Sequence, residues 1–281
     1  MRSLALTLAA LTLALPACHK VGPENPRIRV NDQQLNHLRA ELKANPVELE
    51  RPVVVITGLW DPGVGTADIA ATLAQLTSGN PDDFIKFRPR TPGTFQESAI
   101  ELTDAINEQL NEGKPTTRTA EVDVVALSLG GLVARHASIP SVRWIRLDAA
   151  RIFTLASPHT GAHFAEDFYW VDELIADMAP GSSYLAWLNR RYRSDYELYP
   201  YAVKNDPVVG EQYTTPPDWP GEPLWVRGRF YSSHQFIHRD EMILTDIALR
   251  LRGEEPLFQE PDAAMPTPSE TQARGIETTA P

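Results

Sequence analysis

Residues 122–136 read VDVVALSLGGLVARH, and no other stretch limits the fold as strongly. Val122, Val124 and Val125 lead through Ala126 and Leu127 to Ser128. Leu129-Gly130-Gly131 then opens a second apolar run with no room for a loop. A valine-rich run of this length is a strand buried on both faces, as in parallel sheets. The run after it has helical spacing, so Ser128 stands at a strand-to-helix turn. The alternation recurs along the chain. Strands are expected at Pro52–Thr57, Asp83–Arg88, Val122–Leu127 and Arg151–Ala156, with weaker ones at Pro200–Val203 and Leu224–Arg227. Helices are expected at Ala67–Leu76, Glu97–Leu110, Gly130–His136 and Glu241–Leu251. Strands separated by helices of about ten residues imply βαβ units, hence a mostly parallel central sheet with helices on both faces. In such sheets the chemistry sits at the carboxyl ends of the strands.

Two compositional facts narrow the function. Lys and Arg number 26 against 37 Asp and Glu, a formal net charge of −11. Wrapping a phosphate backbone needs a basic footprint, so no nucleic-acid partner is expected. The chain has one Cys, which excludes a disulfide framework and a Cys-rich zinc site.

The segment Ala126-Leu127-Ser128-Leu129-Gly130 has the small-x-Ser-x-Gly spacing of a nucleophile elbow. A serine on so tight a turn lifts its Oγ above the sheet edge. Strand and helix pass so close that the positions two before and two after must be small, and Ala126 and Gly130 meet that need. Gly131 lets the helix approach further. The competing reading is an ordinary turn in which Ser128 caps the helix. In this context the sequence resembles the α/β-hydrolase fold, and within it lipases and esterases, over roughly residues 50–252. The usual elbow has Gly where this chain has Ala126 and often His where it has Leu127. A serine nucleophile separates it from dehalogenase relatives, which use Asp.

That resemblance implies the rest of a site. Lipases show His-Gly where the first strand ends here in Thr57-Gly58, and the next residue supplies an oxyanion N–H. Carried over, the donors are Leu59 and Leu129. The acid falls at Asp206, in an Asp-Pro-Val-Val segment after a strand, with Asp195 and Asp218 as fallbacks. The base falls at His234, before the closing helix, with His238 as the rival, its ring expected in solvent at the helix entry. His159, in LASPHTGA, resembles a structural or pocket-lining histidine. Residues 160–200 resemble a helical cap whose Phe168, Tyr169, Trp170, Tyr184 and Trp187 either line an acyl pocket or form the cap's own core. No metal or cofactor is implied. The segment Asp61-Pro62-Gly63-Val64-Gly65 fails as a dinucleotide loop, because the third Gly of the pattern would fall on Asp68. The activity implied is hydrolysis of carboxylic esters. Acyl transfer with the same triad, or a non-catalytic binding protein on a hydrolase fold, remain alternatives.

At the N-terminus, Arg2 and the apolar run Leu4–Leu15 have the form of a signal peptide. Leu15-Pro16-Ala17-Cys18 resembles the bacterial lipobox, which places the signal peptide at 1–17 and a lipid on Cys18. An ordinary signal peptide with a chance Cys is the alternative. His19, at the position where Asp retains Gram-negative lipoproteins at the inner membrane, favours the outer membrane. Residues 18–47 are expected to form a polar tether with a short helix near Gln34–Lys43, and residues 48–252 the hydrolase domain. Residues 253–281, rich in Pro, Thr and Glu, are expected to be a disordered tail with almost nothing to bury.

Overall fold

The computed structural model describes residues 20–90, 93–191, 195–217, 219–229 and 233–258. Six strands form one sheet: β2 (Val53–Ile56), β3 (Phe84–Phe87), β4 (Arg118–Leu127), β5 (Arg146–Leu155), β6 (Glu197–Val203) and β7 (Leu224–Val226). Every neighbouring pair is parallel, in the order β3-β2-β4-β5-β6-β7. The order reverses at β2, whose two neighbours are β3 and β4. In an open parallel sheet that reversal opens a crevice at the carboxyl ends of the two diverging strands, here Ile56 and Leu127.

The strand residues alternate between two cores. Val53 and Val55 face a core shared with α1 (Asp32–Ala44), α2 (Val64–Leu76) and α9 (Glu241–Leu251). Val54 and Ile56 face the other, built with α3 (Phe95–Asn111) and α4 (Leu129–Ala137). All four side chains are fully buried, as two-sided coverage of a parallel sheet requires. Between β5 and β6 lie three short helices, α5 (His163–Phe168), α6 (Glu173–Asp177) and α7 (Ser183–Arg190), in the stretch expected to form the cap.

Helix α7 is bonded to α4 and to the segment after β5 by a buried polar network. Arg135 donates to His159 Nδ1 at 3.0 Å and to Asn189 Oδ1 at 2.9 Å, and Asn189 donates back to the His159 carbonyl at 3.0 Å. Because Arg135 can only donate, Nδ1 is the acceptor and Nε2–H donates to Thr154 Oγ1, 3.0 Å away. Burial, and then the Arg135 charge, hold the His159 pKa well below the usual imidazole value. Both ring nitrogens of His159 are thus taken up by α4 and β5, while its carbonyl and Arg135 hold Asn189 of α7.

The structure corrects both expected boundaries. Residues 20–47 are not a free tether. Strand β1 (Lys20–Val21) pairs antiparallel with β8 (Gly228–Arg229), and α1 buries Leu35 and Leu42 on the core. The capping box of Asn31 and Gln34 starts that helix two residues earlier than apolar spacing alone suggests. At the other end, the polar tail does not begin at residue 253. Leu257 is 8% exposed and Phe258 is fully buried. The Phe258 N–H donates to Asp246 Oδ1 at 2.9 Å, and its ring meets Tyr201 edge-on. Composition averaged over the tail hid these two residues.

A chain ending at residue 252 is therefore expected to lose about 3–5 kcal/mol, the usual cost of emptying a buried aromatic site. In a domain of this size that lowers the melting temperature by roughly 10 °C. Thermal melts of the truncation beside Phe258→Ala check this, and both should fall together.

Candidate active site

Ser128 joins β4 to α4 at φ 52° and ψ −122°, a region that residues bearing a Cβ avoid. Two hydrogen bonds hold the turn: Ser128 N–H donates to the Leu155 carbonyl at 2.8 Å, and Gly131 N–H donates to the Ser128 carbonyl at 3.1 Å. The surrounding glycines are demanded by space. A Cβ on Gly130 would lie 2.8 Å from the Thr57 carbonyl oxygen, and one on Gly131 2.2 Å from Ser157 Oγ. A Cβ on Gly58 would come within 3.0 Å of Ser128 Cβ. The carboxyl ends of β2 and β4 thus press together at the sheet's point of reversal, with the serine between them.

Asp206 follows β6 and His234 lies in the one-turn helix α8 (Ser233–Phe236). His234 Nε2 is 3.1 Å from Ser128 Oγ, and its Nδ1 is 2.8 Å from Asp206 Oδ2. The other carboxylate oxygen, Oδ1, accepts from Val208 N–H at 2.8 Å and Val209 N–H at 3.1 Å. A carboxylate only accepts, so the imidazole proton sits on Nδ1 and Nε2 is free to take the serine proton. The Asp206 side chain is wholly shielded from solvent and that of His234 is 14% exposed. Ser233 Oγ fixes the approach of α8: it accepts from Arg229 N–H at 2.8 Å and lies 3.1 and 2.8 Å from the Lys204 and Arg229 carbonyls, which share its single proton.

Leu129 is the first residue of α4, so its N–H has no partner four residues back and points at the helix's positive end. Leu59 follows Gly58 on the loop pressed against Ser128. This loop is shaped by Asp61, a residue whose part only the structure reveals. Asp61 Oδ1 accepts from Gly63 and Val64 N–H, and Oδ2 accepts from Gly65 N–H, at 2.8, 2.9 and 2.9 Å. The glycine-rich loop therefore spends its amides on its own carboxylate. The Asp-Pro-Gly sequence was the available sign, since Asp readily bonds backbone two residues on. Thr57, in place of the histidine of lipases, is fully buried and its hydroxyl makes no hydrogen bond to the protein.

The rival candidates lie elsewhere. Asp195 pairs with Arg146 at the protein surface, and Asp218 lies outside the described residues. His238 sits in a 3₁₀ turn, Ile237–Arg239, with Nε2 3.3 Å from Asp68 Oδ2. Its side chain is only 12% exposed, against the expectation of a solvated ring. The turn folds it onto α2, where Arg239 bonds Asp68 at 2.6 Å. Burial, and then Arg239, lower its pKa, with Asp68 and Asp61 opposing. The cap aromatics divide. Tyr184 stacks on Phe95 of α3 at 4.3 Å and lies 5.9 Å from Trp187, so these two rings pack α7 onto the domain's core. Phe168, Tyr169 and Trp170 are exposed, so they do not form the core of a cap. Cys18 lies outside the described residues.

No protein-family model matches the chain, and no curated protein matches it. Solved structures do. The mature form of a Bacillus licheniformis lipase is similar with a TM-score of 0.52 at 15% identity, over 74% of this chain and 94% of that one. Its propeptide form gives a TM-score of 0.53 at 16% identity, over 78% of this chain and 54% of that longer chain. At such identity the likeness speaks for architecture alone. Together with the strand order and the position of Ser128, it establishes that this chain has the α/β-hydrolase fold.

Proposed function

We propose that the chain is a serine hydrolase that cleaves carboxylic esters through an acyl-enzyme on Ser128. The observation that carries this reading is the hydrogen-bonded series Asp206–His234–Ser128 ending at a strained elbow. Ser128 Oγ attacks the ester carbonyl while its proton passes to His234 Nε2. The tetrahedral oxyanion collapses, the C–O bond to the alcohol breaks, and the imidazolium returns the proton to the leaving alkoxide. Water, deprotonated by the same nitrogen, then releases the acid and frees Ser128. Asp206 holds the tautomer and stabilises the imidazolium. The N–H groups of Leu59 and Leu129 receive the oxyanion, each worth about 3 kcal/mol by analogy with other hydrolases. The scheme calls on no cofactor or metal. A fluorophosphonate probe tests it: labelling of the native chain that vanishes in Ser128→Ala supports an enzyme, and a folded chain that never labels rejects it.

We also propose that the enzyme is anchored by lipid on Cys18, in the bacterial envelope and at the outer membrane in view of His19. Among the described residues no helix is long and apolar enough to cross a membrane. Cys18→Ser is expected to abolish acyl labelling and move the protein from the detergent to the aqueous phase. Unchanged partitioning without an acyl label would remove the lipid from the scheme.

A further inference from the structure

Among the described residues, most of the large exposed apolar side chains lie on two segments that leave the carboxyl edge of the sheet; Val64 and Val142 are the exceptions. Trp60 is 60% exposed, Phe168 42%, Tyr169 58%, Trp170 73% and Val171 47%. Three rings join in a ridge: Trp60 meets Phe164 edge-on at 5.8 Å and Phe164 stacks on Phe168 at 4.7 Å; the exposed Tyr169, Trp170 and Val171 follow Phe168 in the chain. Trp60 leaves the carboxyl end of β2 and the others follow the carboxyl end of β5, so the ridge stands on both sides of β4 and its serine. A contiguous apolar patch left in water marks a contact surface, and Trp and Tyr suit a membrane interface, where one end is apolar and the other wet.

Lys20 and Val21, the first described residues, lie at the same edge of the sheet. Lys20 pairs with Arg229 and Val21 with Gly228, in the strand that starts just past β7. A Cβ on Gly228 would lie 1.7 Å from the carbonyl of Lys204, the residue after β6. Lys20 also pairs with Asp240 at 3.1 Å. The chain is therefore bonded to the carboxyl edge from its twentieth residue. Cys18 precedes Lys20 by two residues, a reach of about 7 Å at most.

We propose that the carboxyl edge of the sheet, with Ser128 in its middle, is the face this protein lays on the lipid bilayer that carries its anchor. The lipid enters beside β1, at the β7 end of the sheet, and the aromatic ridge inserts over β2 and β5. With no slack between anchor and domain, the site opens onto the membrane surface. The substrates, on the ester-hydrolase reading above, are esters of membrane-borne amphiphiles. Glu166 and Asp167 flank the ridge, so the contact is apolar and holds on zwitterionic lipid at high salt.

The test uses the full lipidated chain reconstituted in phosphatidylcholine vesicles, with acyl chains brominated or not. Bromolipid is expected to quench tryptophan emission, and the pair Trp60→Phe with Trp170→Phe to remove more than half of that quenching. Ser128→Ala should be quenched like the native chain, so this readout does not depend on catalysis. A vesicle-bound native chain that is not quenched, a pair quenched as fully as native, or a chain that does not stay on the vesicles overturns the proposal. In a second arm, Tyr169→Ser with Trp170→Ser should slow cleavage of a vesicle-borne ester about fivefold or more, as interfacial binding scales with buried apolar area. Cleavage of a soluble short-chain ester should be spared, and equal loss on both overturns the proposal. A native chain that is quenched but cleaves neither ester refutes the hydrolase reading and leaves the membrane face standing.

Discussion

Ser128→Ala is expected to lower ester hydrolysis by about 10³-fold or more while leaving the fold intact. The loss is chemical, since alanine offers no atom to attack the carbonyl. The residual rate comes from the oxyanion donors and from binding, which the substitution leaves in place. The fold should survive because the turn is held by the Ser128 backbone, through Leu155 and Gly131, and among the described residues Oγ pairs with His234 alone. Alanine at φ 52° suffers about the same steric strain as serine there, so the melting temperature should shift little. Steady-state rates on a short-chain ester, beside a thermal melt, read both effects. Activity within tenfold of native would remove Ser128 from its role.

The sheet was legible because its strands carry their own signal. A strand buried on both faces must be apolar throughout, so PVVVIT and VDVVAL stand out from any helix. The elbow was legible for a related reason: Ala126, Gly130 and Gly131 are required by contacts that follow from the turn itself. Asp206 and His234 were placed through resemblance, and their meeting 2.8 Å apart depends on β6 and β7 being neighbours in the sheet. What stayed hidden depends on long-range partners. Lys20–Val21 is too short to read as a strand and exists only because Gly228–Arg229 lies beside it. Phe258 sits in a polar tail and is buried only because Tyr201 and Asp246 form its site. Exposure of Phe168, Tyr169 and Trp170 could not be read either, since aromatics at such spacing more often form core. The same limit explains the misplacing of the His238 ring, whose shielding comes from α2, 170 residues away in sequence from its Asp68 contact.

The two histidines separate in a comparison of single and double variants. His234→Ala is expected to disable hydrolysis nearly as badly as Ser128→Ala, and the double variant to be little worse than either. Without Nε2 nothing at 3.1 Å can take the serine proton, and without Oγ there is no proton to take, so the second removal finds little left to lose. Asp206→Asn should follow the same pattern less severely, because an amide beside Nδ1 favours the wrong tautomer while Val208 and Val209 can still bond its oxygen. His238→Ala has a different consequence. Its ring lies 3.3 Å from the Asp68 carboxylate on α2 without completing a hydrogen bond, while Arg239 bonds that carboxylate. Removing the ring should cost roughly 1 kcal/mol of stability, as for an ordinary side-chain contact, and leave kcat near native. Rates and melts for the four variants decide the matter. If His238→Ala were inactive and His234→Ala near native, the proton would have to leave Ser128 by a route that this hydrogen-bond geometry does not contain, and the base would have to be reassigned.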